Sequence, residues 1–274
     1  MIEDVVLTIR KNSNLDGEFD ARIHTLTNLT PNTEIAEEDV FIIGYPKSGH
    51  TWFQCLVAGV IYNVDLDYAP YSFVWELVPE HSVRPYYFRY GTPMFFKTHD
   101  VPRPKYRRVV YLVRDGRDAV TSYYHHLESV RRQKGQKTKF LKVAQGELGA
   151  FPHKKWHEHV EAWLANPCDA QMLIVKYEDL RQDTVRQLQR FCAFAGVERE
   201  EAFLRKVAAM ASFERMREKE QAQGGLDKPK KDRPRPAAFV RRGAIGSYKD
   251  EMPPEVLEVF MHEAGDTLRK LGYI

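Results

Sequence analysis

A lysine, a serine, a glycine and a threonine fall close together in FIIGYPKSGHTW, residues 41–52. An apolar run ends at Gly44, and a short loop, Tyr45 to His50, leads into a helical pattern near Thr51. A strand–loop–helix junction gathers unpaired backbone N–H groups and the positive end of a helix at one point. Such a point binds anions, phosphate most naturally. Gly49 lets the backbone approach a ligand closely. Lys47 adds a full positive charge, and Thr51 adds a hydroxyl donor. The spacing is not that of GxxxxGK[ST], where the lysine follows the last glycine and the next hydroxyl holds Mg²⁺. Here Lys47 precedes Gly49 and His50 follows it, which weakens a triphosphate–Mg²⁺ reading. For KSG alone, an ordinary β–α turn with an exposed lysine is an equal alternative.

Other residues able to do chemistry lie farther along. Arg114 closes the run RRVVYLVR (107–114), and Ser122 follows about two turns into a helical pattern. A guanidinium can fork onto a phosphate, and a hydroxyl can donate beside it. An ion pair of Arg114 with Asp115 or Asp118, and a solvated Ser122, are the alternatives. Arg241, Arg242 and Gly243 offer two guanidinium groups and a backbone N–H in a row. Lys97 and His99 end the run PMFFKT (93–98) and step just past it. Strand ends are where α/β proteins place ligands, and histidine titrates near neutral pH.

These positions require elements to hold them. Four short runs, 39–44, 93–98, 107–114 and 171–177, are consecutively apolar at their centres. That is the pattern of parallel strands covered on both faces. Helical patterns occupy Thr51–Asn63, Asp118–Val130 and His153–Leu164. Asp183 is suited to cap a helix over Thr184–Ala195, with Gly196 as its stop. Pro253 and Pro254 can open a last helix that Gly272 closes. Strands alternating with helices predict a three-layer α/β fold. Two stretches lack periodicity, Tyr68–Tyr90, rich in aromatic residues, and Gln221–Pro236, read as a mobile loop.

The 274 residues carry 41 Lys and Arg against 38 Asp and Glu, a net charge of +3. This balance does not by itself announce a nucleic-acid binder. Cys55, Cys168 and Cys192 are far apart and show no zinc spacing, which fits a reduced cytoplasmic setting. The start, MIEDVVLTIRK, lacks an apolar signal core, and the run Cys55–Tyr62 is too short to span a bilayer. A single domain over 1–274 without a membrane span is expected.

YPKSGHTW resembles the YPKSGTTW loop of the cytosolic-type sulfotransferases, which use 3′-phosphoadenylyl sulfate. RVVYLVRDGRDAVTSYYHH (108–126), VKYEDL (175–180), RRGAIGSYKDEM (241–252), FFKTHD (95–100) and ASFERM (211–216) extend the resemblance to about residues 38–272. It implies a central parallel sheet of about five strands flanked by helices, related to the P-loop nucleotide kinases, and no metal. It implies that Lys47, Ser48, Gly49, His50, Thr51 and Trp52 hold the 5′ end of the donor. It places Arg114, Ser122, Arg241, Arg242 and Gly243 on the 3′-phosphate. Trp52, Phe213 and Met216 would sandwich adenine, with Tyr177 and Ser212 as polar contacts. His99 would be the general base, Lys47 would stabilise the leaving oxygen and Lys97 would contact the sulfuryl group. Adenosine 3′,5′-bisphosphate would be the product.

This chain departs from the family pattern at several places. His50 stands for a threonine, Asp100 for a leucine, and RRGAIGSYKD for RKGxxGDWKN. The KxxxTVxxxE dimer segment of the vertebrate enzymes has no counterpart in Met252–Ile274. Tyr71, Phe73, Trp75, Tyr86 and Tyr87 are expected to wall an apolar or aromatic small-molecule acceptor, with 221–240 as a lid. A folded loop with its own core is the alternative. A P-loop kinase using ATP–Mg²⁺ and a non-catalytic bisphosphate-binding protein are the competing functions.

Overall fold

The computed structural model describes residues 29–148, 155–222 and 243–274. Strand β1 (Leu29–Pro31) is followed by β2 (Val40–Ile43) and helix α1 (His50–Tyr62). Then come α2 (Tyr71–Leu77), β3 (Tyr86–Phe88), β4 (Phe95–Thr98) and β5 (Arg108–Val113). Helices α3 (Gly116–Arg132), α4 (Phe140–Ala144) and α5 (Trp156–Ala165) lead to β6 (Gln171–Lys176). The rest is helical: α6 (Tyr177–Gln182), α7 (Thr184–Ala195), α8 (Glu201–Met210), α9 (Phe213–Ala222), α10 (Tyr248–Glu251) and α11 (Pro254–Lys270).

The central sheet runs β4–β2–β5–β6, every pair parallel. Its strands are the four apolar runs of the sequence, each shortened by one or two residues at its ends. Among the described residues the sheet has four strands. A single parallel bridge between Glu80 and Lys97 adds a rudiment beyond β4. β1 and β3 form a separate antiparallel pair.

Side chains alternate across this sheet, and both faces are buried. Val40, Ile42, Val110 and Leu112 face a core with Leu56, Val57, Phe191 and Leu204, from α1, α7 and α8. Phe41, Ile43, Val109 and Tyr111 face a second core with Trp156, Trp163 and Phe260, from α5 and α11. Water is excluded from both sides, so no polar alternation is needed, and the strands read as continuous apolar runs. The caps follow the sequence signals. The Asp183 carboxylate accepts from Arg186 N, Gly196 ends α7 at φ 72°, and proline opens α11.

The stretch Tyr68–Tyr90 is more ordered than its composition suggests. α2 buries Tyr71, Val74 and Leu77, a stripe too short to stand out as a period. β3 takes Tyr86 and Tyr87 into the pair with β1.

Parallel register aligns the strand ends: Ile43 pairs with Thr98 and Tyr111, and Val113 pairs with Lys176. The residue after each strand is therefore delivered to one rim. These residues are Gly44, His99, Arg114 and Tyr177.

Candidate active site

The rim built from those four strand ends carries a cavity. Gly44 ends β2 where a Cβ would lie 2.2 Å from Leu112 O, so only glycine fits between the strands. The chain then turns sharply. Lys47 takes φ 70° and Gly49 takes φ 100°, both left-handed. A non-glycine residue held there stores strain, which clusters at ligand sites. Gly49 caps α1, and a Cβ on it would meet the Tyr177 ring at 2.9 Å.

His99 follows β4 and is buried. Its Nδ1 lies 2.8 Å from Gly44 O. A carbonyl only accepts, so Nδ1 carries the proton and Nε2 is the lone-pair nitrogen. His50, also buried, packs edge-on against it with ring centroids 4.3 Å apart. Burial holds the His99 pKa well below the ordinary histidine value, and the Lys97 ammonium adds to the effect. Burial, then His99, depresses His50 in the same way. Both rings are neutral at neutral pH. Lys97 lines the cavity with its ammonium paired to Glu80.

Arg114 follows β5 and is 7% exposed. Its guanidinium donates to Lys47 O at 3.3 Å and Ala244 O at 2.9 Å, and lies 4.5 Å over the Tyr177 ring. Asp115 is paired with Arg117 instead, and Asp118 stands 3.8 Å from Arg114. One cavity is lined by Lys47, Gly49, His50, Thr51 and Trp52, by Lys97 and His99, and by Arg114 and Ser122. Tyr177, Phe213, Met216 and Gly243 also line it. Four lining or loop residues hold buried polar atoms without a partner: Ser48 Oγ, both His50 nitrogens, Trp52 Nε1 and Arg114 Nε. Buried polar groups are normally satisfied, so the Ser48 hydroxyl, the one His50 N–H, Trp52 Nε1 and Arg114 Nε are donors that suit a ligand rich in acceptor oxygens.

Residues 37–272 match the sulfotransferase domain family, most of the chain. The chain belongs to that family. Human sulfotransferase 2B1 is 27% identical over 247 residues, covering 85% of this chain and 67% of that protein. Human sulfotransferase 2A1 is 24% identical, covering 91% of this chain and 92% of its own. A rabbit (Oryctolagus cuniculus) amine sulfotransferase is 25% identical, covering 83% of this chain and 79% of that protein. Retinol dehydratase in complex with androsterone and inactive cofactor PAP superposes with a TM-score of 0.65 at 20% identity, covering 86% of this chain and 82% of that one. A mouse sulfotransferase complexed with PAP gives 0.61 at 20% identity, covering 87% and 86%.

Not every residue expected at the sulfotransferase site reaches the cavity. The Ser212 hydroxyl accepts from Arg215 N at the start of α9, and neither Ser212 nor Ser48, which is buried inside its loop, lines the cavity. Tyr71 is buried in the core, its hydroxyl donating to Met216 O at 3.2 Å, so it backs the cavity wall without lining it. Tyr87 is buried against Phe96 and donates to Glu34 O. Phe73 is 45% exposed, Trp75 packs on the first core, and Tyr86 is half-buried in β3. None of these five lines the cavity. α2 and the β1–β3 pair turn them elsewhere. Arg241, Arg242 and all but 221–222 of the segment 221–240 lie outside the described residues. No helix among the described residues is long and apolar enough to cross a membrane.

Other lining residues escaped the sequence reading. Arg181 stands 5.9 Å from the Trp52 ring and 5.5 Å from the Phe213 ring. It lies four residues after Tyr177 on α6, and His126 lies four after Ser122 on α3; that spacing shares a helix face and would have found both. Pro46, Tyr123, Ala244 and Ser247 also line the cavity.

Proposed function

We propose that this sulfotransferase transfers a sulfuryl group from 3′-phosphoadenylyl sulfate to a hydroxyl of a small apolar or aromatic molecule, releasing adenosine 3′,5′-bisphosphate. One observation carries the reading: Lys47, the 49–52 segment, Arg114, Ser122, Gly243 and His99 all line the same cavity. A nucleotide with anions at both ends needs two cationic regions in one cleft. Between them Trp52, Phe213 and Met216 offer apolar faces for adenine. Pro46, Tyr123 and His126 offer surface for the acceptor.

The donor supplies a sulfuryl group bound to a good leaving phosphate. His99, oriented by Gly44 O, takes the acceptor proton on Nε2. The acceptor oxygen attacks sulfur in line while the bond from sulfur to the 5′-phosphate oxygen breaks. The electron pair stays on that oxygen. Lys47 and the first N–H groups of α1 neutralise it. Lys97 faces the transferred oxygens.

Thermal-shift measurements with adenosine 3′,5′-bisphosphate and with ATP–Mg²⁺ test the donor assignment. Saturating bisphosphate should raise the midpoint, since ligand at about 100 times Kd adds about 2.7 kcal/mol. A larger shift with ATP–Mg²⁺ would overturn the reading in favour of a kinase. Radiolabelled sulfuryl transfer to a panel of phenols and alcohols tests the reaction. Tight bisphosphate binding with no transfer to any of them would leave a binding protein.

A further inference from the structure

A carboxylate stands where a phosphate-binding region should least tolerate one. Asp118, in the first turn of α3, is fully buried and 3.8 Å from Arg114. An unpaired anion there would compete with a phosphate for the guanidinium. Its oxygens are instead occupied from another part of the chain. Asp118 Oδ2 accepts from Gly246 N at 2.7 Å, and Oδ1 accepts from Ser247 Oγ at 3.1 Å and Tyr248 N at 2.9 Å. These partners are 128 to 130 positions away in sequence.

The same segment is held at its other end. Ala244 O accepts from Arg114, and Gly243 O accepts from the Tyr177 hydroxyl at 3.2 Å. Gly243 and Gly246 take φ 61° and 80°, so the loop follows a left-handed course. A Cβ on Gly243 would strike the Phe213 ring at 2.4 Å. Asp118 does not line the cavity, whereas Gly243, Ala244 and Ser247 do.

We infer that Asp118 is a positioning residue for the 3′-phosphate end of the donor site: it fastens the 243–248 loop against Arg114. It does so without touching the nucleotide. This rests on the donor assignment above. A carboxylate accepting several backbone N–H bonds is a strong, directional anchor. Asparagine keeps the shape but turns one amide N–H₂ toward a donor, so at least one bond is lost and the loop shifts.

The test separates the two ends of the nucleotide. Dissociation constants of adenosine 3′,5′-bisphosphate and adenosine 5′-monophosphate are measured by calorimetry for wild type and Asp118→Asn. The variant should lose about tenfold in bisphosphate affinity, about one charge-assisted hydrogen bond, while monophosphate affinity changes less than about twofold. Equal losses for both ligands, or no loss for either, overturn the inference. A wild type that does not prefer the bisphosphate overturns the donor assignment itself, a distinct result. If Asp118→Asn fails to fold, Ser247→Ala, which removes one of the three donors, carries the same comparison. It should lose about threefold for the bisphosphate alone, and an unchanged preference counts against the role.

Discussion

At the scale of single residues, the proposed reaction depends on a histidine kept neutral. His99 is buried beside Lys97, and burial first, then the Lys97 ammonium, disfavours its protonation. A base that stays unprotonated loses no rate until the pH falls well below ~6.5. The acid limb of kcat against pH should therefore lie below that of an unperturbed imidazole. Rates measured from about pH 5 to about pH 8 would show it, and a limb at or above ~6.5 would contradict the assignment. His99→Ala should lower turnover about 10²- to 10⁴-fold and leave bisphosphate binding nearly intact. Lys47→Ala should behave differently, lowering kcat by about 10²-fold and weakening the donor as well, because the ammonium acts on both states. Steady-state kinetics alongside calorimetry distinguish the two patterns.

At the scale of elements, the junction between β2 and α1 is the most constrained piece of the chain. Gly49 combines a left-handed backbone with contact against the Tyr177 ring. Gly49→Ala adds about 1–2 kcal/mol for the left-handed conformation and a clash besides. The loop relaxes away from α6, and the backbone donors proposed to face the 5′ end are displaced. Nucleotide affinity should fall at least about tenfold while the thermal midpoint drops only a few degrees, because the sheet and both cores are untouched. A midpoint change without an affinity change would show that the loop serves packing alone. The other strand ends work in the same manner, each delivering one residue to the rim by register.

At the scale of the whole molecule, placing imidazoles inside the protein couples stability to pH. In the unfolded chain His50 and His99 titrate near ~6.5, whereas folded they bind a proton only well below that. Between those values the unfolded state holds more protons, so unfolding becomes easier as pH falls. The stability these neutral rings contribute is complete above ~6.5 and is lost progressively below it, by at most about 1.4 kcal/mol per pH unit per ring. The midpoint should fall between about pH 7.5 and about pH 5.5, and less so in a His50→Gln, His99→Gln double variant. Equal slopes would assign the dependence to other groups.

Local chemistry was legible before any fold was known. Four apolar runs, the Asp183 and Gly196 signals, the terminal prolines and the KSG loop are short-range features, and each became the element it announced. The family resemblance joined Arg114, Ser122 and Gly243 to one site; the parallel register delivers Arg114 and Tyr177 to the rim, and Gly243 is held there by the Tyr177 hydroxyl. What periodicity could not reveal was which aromatic side chains face the cavity. Tyr71 and Tyr87 read as a wall but are buried in the cores, since a three-residue stripe and an antiparallel pair give too little pattern to orient a side chain. Nor could spacing show that Asp118 reaches across 128 positions to Gly246. Backbone propensity and burial act locally, so they are written in neighbouring residues. The partners of a buried carboxylate or the facing of a lone ring are settled only when distant segments pack.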